Sequence, residues 1–245
     1  MNKSYLGSIN KYSELGYGSQ SNVYMCDYLD SLFAYKEFWN PKVVEFIKDR
    51  LFKLSEYHND YRFVFPYKFI YEKVNDDNFI GYIMDCLYKY EKLSSLVELD
   101  YYKKIDILKK SRHLLYNFHK DYNSIHTDIC PWNIMYNLEQ DKVTLIDFDT
   151  YIDLNNKPKY LCDFYSIYSS FYADNVGIDK DLDIFLFNLT TYSMLTGIEY
   201  HDVLKAINDN ELDTFESNKV RSIFESYKNL ECNKSLKKEY VIDYL

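Results

Sequence analysis

The sequence predicts an α+β fold in two lobes, β-rich over residues 1–88 and mostly α-helical over 89–245. Three observations carry this prediction. Short apolar-aromatic runs broken by polar turns fill the first part, as half-buried strands do. Apolar residues at three- and four-residue spacing fill most of the second. The 245 residues hold only 6 Gly and 4 Pro against 28 Tyr and 16 Phe, which excludes disordered, collagen-like and linker-rich chains. This length suffices for a sizeable core in one large domain or two lobes sharing an interface.

Taken in order, Val23–Cys26 and Leu32–Phe38 read as strands joined by a turn over Asp27–Asp30. Asn40 is placed to cap a helix with Pro41 in its first turn. Val43, Val44, Ile47, Leu51 and Leu54 then mark one face of that helix, to about Tyr57. Phe63–Tyr71 and Phe79–Leu87 are strand-like, with a turn at Asn75–Asn78. After Leu99, Ile105, Leu108, Leu115 and Phe118 mark a helix to about Lys120. Two short strands follow, Ile134–Tyr136 and Val143–Ile146, and a helical run starts at Phe164. In the last strong helix Leu182, Phe185, Leu186, Leu189, Tyr192 and Leu195 repeat at helical spacing, with Gly197 as its C-cap. No internal repeat or low-complexity linker interrupts this order.

Charge and cysteine content narrow the partners. Lys plus Arg is 29 against 38 Asp plus Glu, a net charge of −9, and no basic stripe offsets it, so nucleic acid is not an expected ligand. The five Cys include no CxxC pair and no Cys/His cluster of zinc spacing, which fits free thiols in a reducing compartment. The Met1–Tyr5 start leads into polar residues without an apolar signal region, and no apolar run approaches the ~18 residues of a membrane span. The expectation is a cytoplasmic protein without nucleic-acid or membrane partners.

The chemistry concentrates in His126-Thr127-Asp128-Ile129-Cys130-Pro131-Trp132-Asn133 and, fourteen residues further on, Asp147-Phe148-Asp149. A hairpin turning near Leu138–Asp141 returns Asp147 to the side of Asn133. An amide oxygen beside a carboxylate is hard-oxygen ligation suited to Mg²⁺, which keeps its other positions for water and phosphate. Asp128 is then close enough to take a proton from an attacking hydroxyl.

These residues resemble the protein-kinase-like superfamily, which includes protein kinases and the aminoglycoside and choline phosphotransferases. Its H-x-D-x-x-x-x-N loop is matched by His126, Asp128 and Asn133, and its D-F-G by Asp147 and Phe148. The resemblance implies a bilobal protein-kinase-like fold. It implies Asp128 as base, Asn133 and Asp147 as metal ligands, and His126 as a structural support. Upstream, Gly16, Gly18, Ser19, Ser21 and Val23 resemble the glycine-rich loop over the phosphates of ATP, where small side chains let backbone amides approach. Ser21 stands in place of the third glycine. Lys36, on the next strand, corresponds to the lysine on the α- and β-phosphates, although a Lys between apolar strand residues more often faces solvent. Its expected partner is Glu56, favoured over Glu45 because it lies nearer the following strand. Met84 resembles the gatekeeper, with the backbone of Asp85 and Leu87 placed to read adenine. Asp163 resembles the acid that opens the large C-terminal-lobe helix and braces the catalytic loop.

Three positions and one spacing depart from the rest of the protein-kinase pattern. Thr127 replaces a common Arg, and Cys130 a Lys or His that would contact the γ-phosphate. Asp149 replaces the D-F-G glycine, as a further metal ligand, an acceptor for a substrate amine, or an acid ending an exposed strand. Only sixteen residues separate Asp147 from Asp163, with no A-P-E motif between them. The expected function is ATP- and Mg²⁺-dependent transfer of the γ-phosphate to a hydroxyl acceptor, small or non-standard rather than a peptide. The alternatives are a Ser/Thr-type protein kinase without activation-loop control, and a nucleotide-binding pseudokinase, for which Ser21 and Cys130 argue.

Overall fold

The protein, described here by a computed structural model over residues 4–73, 77–228 and 236–245, is a mixed α+β chain. It divides into two compact units, Met1–Lys89 and Tyr90–Leu245. Among the described residues no helix is long and apolar enough to cross a membrane. Asn75, Asp76 and Cys232 lie outside the described residues.

In the first unit, β1 (Ser4–Tyr5), β2 (Asn10–Tyr17), β3 (Ser21–Tyr28), β4 (Ser31–Phe38), β5 (Lys68–Tyr71) and β6 (Gly81–Asp85) form one sheet in the order β1-β5-β6-β4-β3-β2. All neighbours are antiparallel except β1 and β5. Leu29 and Asp30 both adopt positive φ (51° and 59°) between β3 and β4, the two-residue turn whose twist matches flanking strands. One sheet face closes over a small core of Ile9, Cys26, Tyr28, Tyr35, Ile70 and Ile83.

Helix α1 (Pro41–Ser55) begins as expected, with the Asn40 side chain accepting a hydrogen bond from Lys42 N and Pro41 in the first turn. Its Phe52 meets Phe69 at 4.5 Å and Phe79 at 5.7 Å between ring centroids. The expected strand Phe63–Tyr71 shortens to Lys68–Tyr71. Around Asp60 the chain turns instead, with Phe63 N donating to Asp60 O, and Pro66 has no N–H for a ladder. Phe79–Leu87 likewise contracts to Gly81–Asp85.

The second unit starts with β7 (Glu91–Lys92) and the long helix α2 (Tyr101–Tyr122), capped by Asp100 and ended by Asn123 in the left-handed region. Strand β8 (Ser124–Ile125) leads into the loop 126–133. Then β9 (Ile134–Asn137) and β10 (Lys142–Leu145) form the expected hairpin, in register from Ile134↔Leu145 to Asn137↔Lys142. β11 (Ile152–Asp153) pairs back onto β8. Helix α3 (Ile167–Asn175) starts three residues later than expected, because Ser166 caps it through Ser169 N.

Helix α4 (Lys180–Thr196) ends at Gly197, which adopts φ 78° and donates its N–H to Ser193 O. It is buried almost throughout from Leu182 to Met194, as a helix at the centre of its unit must be. Its Asn188 donates to Glu239 O and accepts from Val241 N, fixing the C-terminal residues against it. Helices α5 (Val203–Asn208) and α6 (Asn218–Glu225) complete the unit.

Candidate active site

In the first unit, strand register decides which candidate residues share a face. Cross-strand partners project to the same side. Ser21 lies opposite Phe38, Val23 opposite Lys36, and Gly16 opposite Val23. Ala34 pairs with Met84 and Lys36 with Tyr82. Ala34, Lys36 and Phe38 alternate along β4, so Ser21, Val23, Lys36 and Met84 all belong to the face away from the small core. Phe38, Tyr82, Phe69 and Phe79 cover one end of that face under α1.

Lys36 is only 5% exposed, so it does not take the solvent-facing position common for strand lysines. Its Nζ lies 5.8 Å from the centroid of the Phe38 ring. On the other face Gly81, opposite Glu37 on the neighbouring strand, lets β6 and the Tyr35 ring approach closely. A Cβ there would stand 2.2 Å from Lys36 O and 2.7 Å from the Tyr35 ring.

Gly18 and Ser19 are exposed in the turn between β2 and β3, where Gly18 N donates to Ser21 O at 2.8 Å. Gly18 has no positive φ, and an added Cβ would come no nearer than 3.6 Å to Ser21 O. The fold therefore does not itself demand glycine at 18. Asp85 ends β6 exposed, and Leu87 follows it half-buried. Glu56 is the exposed C-cap of α1, and Glu45 is exposed on the same helix.

The loop 126–133 is held from several sides. His126 is fully buried. Its Nε2 donates to Ile146 O at 2.9 Å, and its Nδ1 accepts from Asp128 N at 3.3 Å, one consistent neutral tautomer. Burial lowers its pKa below the ordinary imidazole value, against the pull of Asp183. The ring packs 4.5 Å from that of Phe148. Such a group supports the loop, with its single N–H held by Ile146 O.

Thr127 follows with φ 69°, a costly conformation for a β-branched residue. Its neighbours over-determine it. The amides of His126 and Thr127 both donate to the carboxylate of Asp183, at 2.7 and 2.8 Å. Thr127 Oγ1 donates to Thr150 O, and Ser169 Oγ donates to Thr127 O. Asp183 is 0% exposed and also accepts from His119 Nε2 at 2.7 Å.

The bracing acid is therefore Asp183, not Asp163, which is exposed. Both open an Asp-apolar-aromatic run, and composition alone does not separate them. The available signal was position: Asp183 is an acid within a helix apolar nearly all round, so it had to be buried with donors.

Asp128 emerges half-buried from this frame. Asn133 Nδ2 donates to both Asp128 O and Asp128 Oδ2 at 2.9 Å, which fixes the amide orientation and leaves Asn133 Oδ1 as the atom able to ligate a cation. Ile146 N donates to Asn133 O at 3.1 Å, extending the hairpin by one pair, so Ile146 lies opposite Asn133 and Asp147 follows it in the chain. Asp147 has φ 65°, the second strained residue of the site. Asp149 is 8% exposed, and so does not end an exposed strand.

Among the described residues no group of three or more His, Cys, Asp or Glu converges as a metal cage. Asn133 Oδ1 is left as an oxygen able to face a cation, and Asp147 follows Ile146, the cross-strand partner of Asn133. Cys130 is buried, and burial first, then Asp128, pushes its thiol pKa well up, so it contributes no charge. Together the loop can present the Asp128 carboxylate to a hydroxyl and the Asn133 amide oxygen to a cation. No protein-family model and no curated protein matches the chain.

Proposed function

We propose that the chain is an ATP- and Mg²⁺-dependent phosphotransferase whose two units correspond to the lobes of a protein-kinase-like fold. One observation carries this reading: Asn133 anchors the Asp128 carboxylate on a strained, Asp183-braced loop, and the following hairpin sets Ile146 against Asn133, one residue before Asp147. In the first unit, Ser21, Val23, buried Lys36 and Met84 share one sheet face, a supporting observation for nucleotide contacts. Gly18, which the fold does not need, supports close approach of a ligand to the β2–β3 turn.

In this reading Asp128 accepts the proton of an acceptor hydroxyl as its oxygen bonds to the γ-phosphorus. The bond from phosphorus to the bridging oxygen breaks, and ADP leaves. Asn133 and Asp147 would hold Mg²⁺, which supplies neutralisation of phosphate charge. Lys36 contacts the nucleotide phosphates, and Met84, Asp85 and Leu87 border the base.

The expectation of a small acceptor draws on the sixteen residues from Asp147 to Asp163, the absence of an A-P-E motif and Asp149. With the brace at Asp183 the interval is thirty-six residues, and it carries β11 and α3. That favours a second reading within the class, a polypeptide hydroxyl as acceptor. The test is turnover of labelled ATP with Mg²⁺ against protein and small-hydroxyl panels, beside Asp128→Asn. The expected loss is ~10²-fold or more with nucleotide binding retained. Wild-type turnover in the variant would overturn the assignment, and binding without transfer in every panel would favour a regulatory nucleotide-binding role.

A further inference from the structure

Beside Asp128 the second unit carries an aromatic wall that the phosphotransferase reading does not use. Trp132, between Asp128 and Asn133, is half-buried. Its ring meets the Tyr200 ring edge-on at 5.3 Å and the His201 ring at 5.2 Å, tilted by 36°. The wall is tied to the loop: Tyr200 OH donates to Ile129 O, the carbonyl next after Asp128. Tyr168 OH in turn donates to Tyr200 O and His201 O, pinning the turn that carries them. Burial raises the Tyr200 hydroxyl pKa, so it stays a neutral donor to Ile129 O. Trp132 and His201 retain exposed surface, unlike Tyr168 and Tyr200 beneath them. The same turn bears exposed Glu199 and Asp202.

We infer that Trp132 and His201 form the acceptor-side wall of the site and select a polypeptide hydroxyl flanked by an aromatic or bulky aliphatic residue. This rests on the phosphotransferase reading. A flat ring at the wall stacks on Trp132 and displaces poorly held water, while Glu199 and Asp202 repel an acidic neighbour. Lys or Arg is absent from these wall and turn positions, so nothing there favours a flanking carboxylate.

The experiment uses the full chain with labelled ATP and Mg²⁺ on an arrayed peptide library. Each well has a central Ser, Thr or Tyr and one fixed neighbour. Asp128-dependent ATP hydrolysis is measured in parallel. Wells with Phe, Trp or Leu beside the hydroxyl are expected to be labelled about two- to tenfold above those with Ala, the range of an aromatic contact, and wells with Asp or Glu below them. Trp132→Ala should flatten the aromatic-to-Ala ratio towards one, and Trp132→Phe should restore most of it. The ratio is internal to each variant, so a general loss of activity does not mimic the effect.

Asp128-dependent hydrolysis without any labelled peptide, or an unchanged ratio in Trp132→Ala, overturns the inference and leaves the phosphotransferase reading standing. Absence of Asp128-dependent turnover in every assay overturns the reading, and the inference with it.

Discussion

Lys36 in the first unit and Asp128 in the second are positioned by different means. Lys36 owes its place to strand register: it lies between Val23 and Tyr82 on a ladder of evenly repeated backbone bonds. Asp128 lies on a loop without repeating structure, set by single bonds from residues far along the chain, with Asp183, Ser169 and Thr150 fixing Thr127. A ladder spreads the work over many equivalent bonds, whereas the loop concentrates it on a few buried groups. Damage to the ladder should therefore be graded, and damage to the loop abrupt.

Asp183→Ala is the strongest way to test that contrast. It leaves two buried amides and His119 without their acceptor, and the expected loss is about 3–5 kcal/mol in denaturant unfolding. A loss no larger than that of an ordinary surface substitution would remove the idea that one acid holds the loop.

Gly81→Ala comes next, and is directed at the ladder. The new methyl meets the Lys36 carbonyl at 2.2 Å, so β4 and β6 must part, at about 1–3 kcal/mol by thermal unfolding. Weaker nucleotide binding should accompany it, because the displaced strand carries Lys36.

The pH dependence of stability tests the loop more gently. His126 is held neutral, with a folded pKa below the ordinary 6.5, so the unfolded chain binds the extra proton first. Its contribution is complete above pH 6.5 and declines as pH falls below that value towards the folded pKa. Urea midpoints measured from pH 7.5 to 5.5 should therefore fall, and His126→Gln should flatten that slope.

Gly18→Ala completes the series. With no positive φ and only an ordinary van der Waals contact for the new methyl, stability should change by no more than about 0.5 kcal/mol. ATP affinity, followed by ligand-induced thermal shift, should nonetheless drop. A variant that binds as the wild type does would separate Gly18 from any phosphate contact.

Much of the first unit was legible because its signals are local. Asn40-Pro41 marks a helix start wherever it occurs, and the β3–β4 and β9–β10 hairpins follow from apolar runs around polar turns. The two-residue strand β1 was missed, since its parallel partner β5 is more than sixty positions away. Residues 63–67 were over-read as strand because Phe63, Val64 and Phe65 are apolar, yet their burial comes from loop packing without a ladder. At the site, His126, Asp128, Asn133 and Asp147 were legible as motif positions, and their expected roles came from the family resemblance. The brace was missed because Asp163 and Asp183 open similar runs, and only the apolar surroundings of Asp183 within α4 separate them in the sequence. Lys36 was ambiguous for a related reason: alternation tells which residues share a face, but not which face is covered.

The left-handed Thr127 also has a consequence for the order in which the chain folds. The bonds that make its conformation affordable come from Asp183, 56 residues further along the sequence. Contacts of that span form only after the intervening chain has been gathered in, so they belong to the later events of folding. Hairpin β9–β10 can close by itself, but the loop before it has no reason to adopt its final shape until α4 arrives. A correctly shaped Asp128 loop is thus a report that the centre of the second unit has already assembled, and a half-folded chain would carry the same residues without the site.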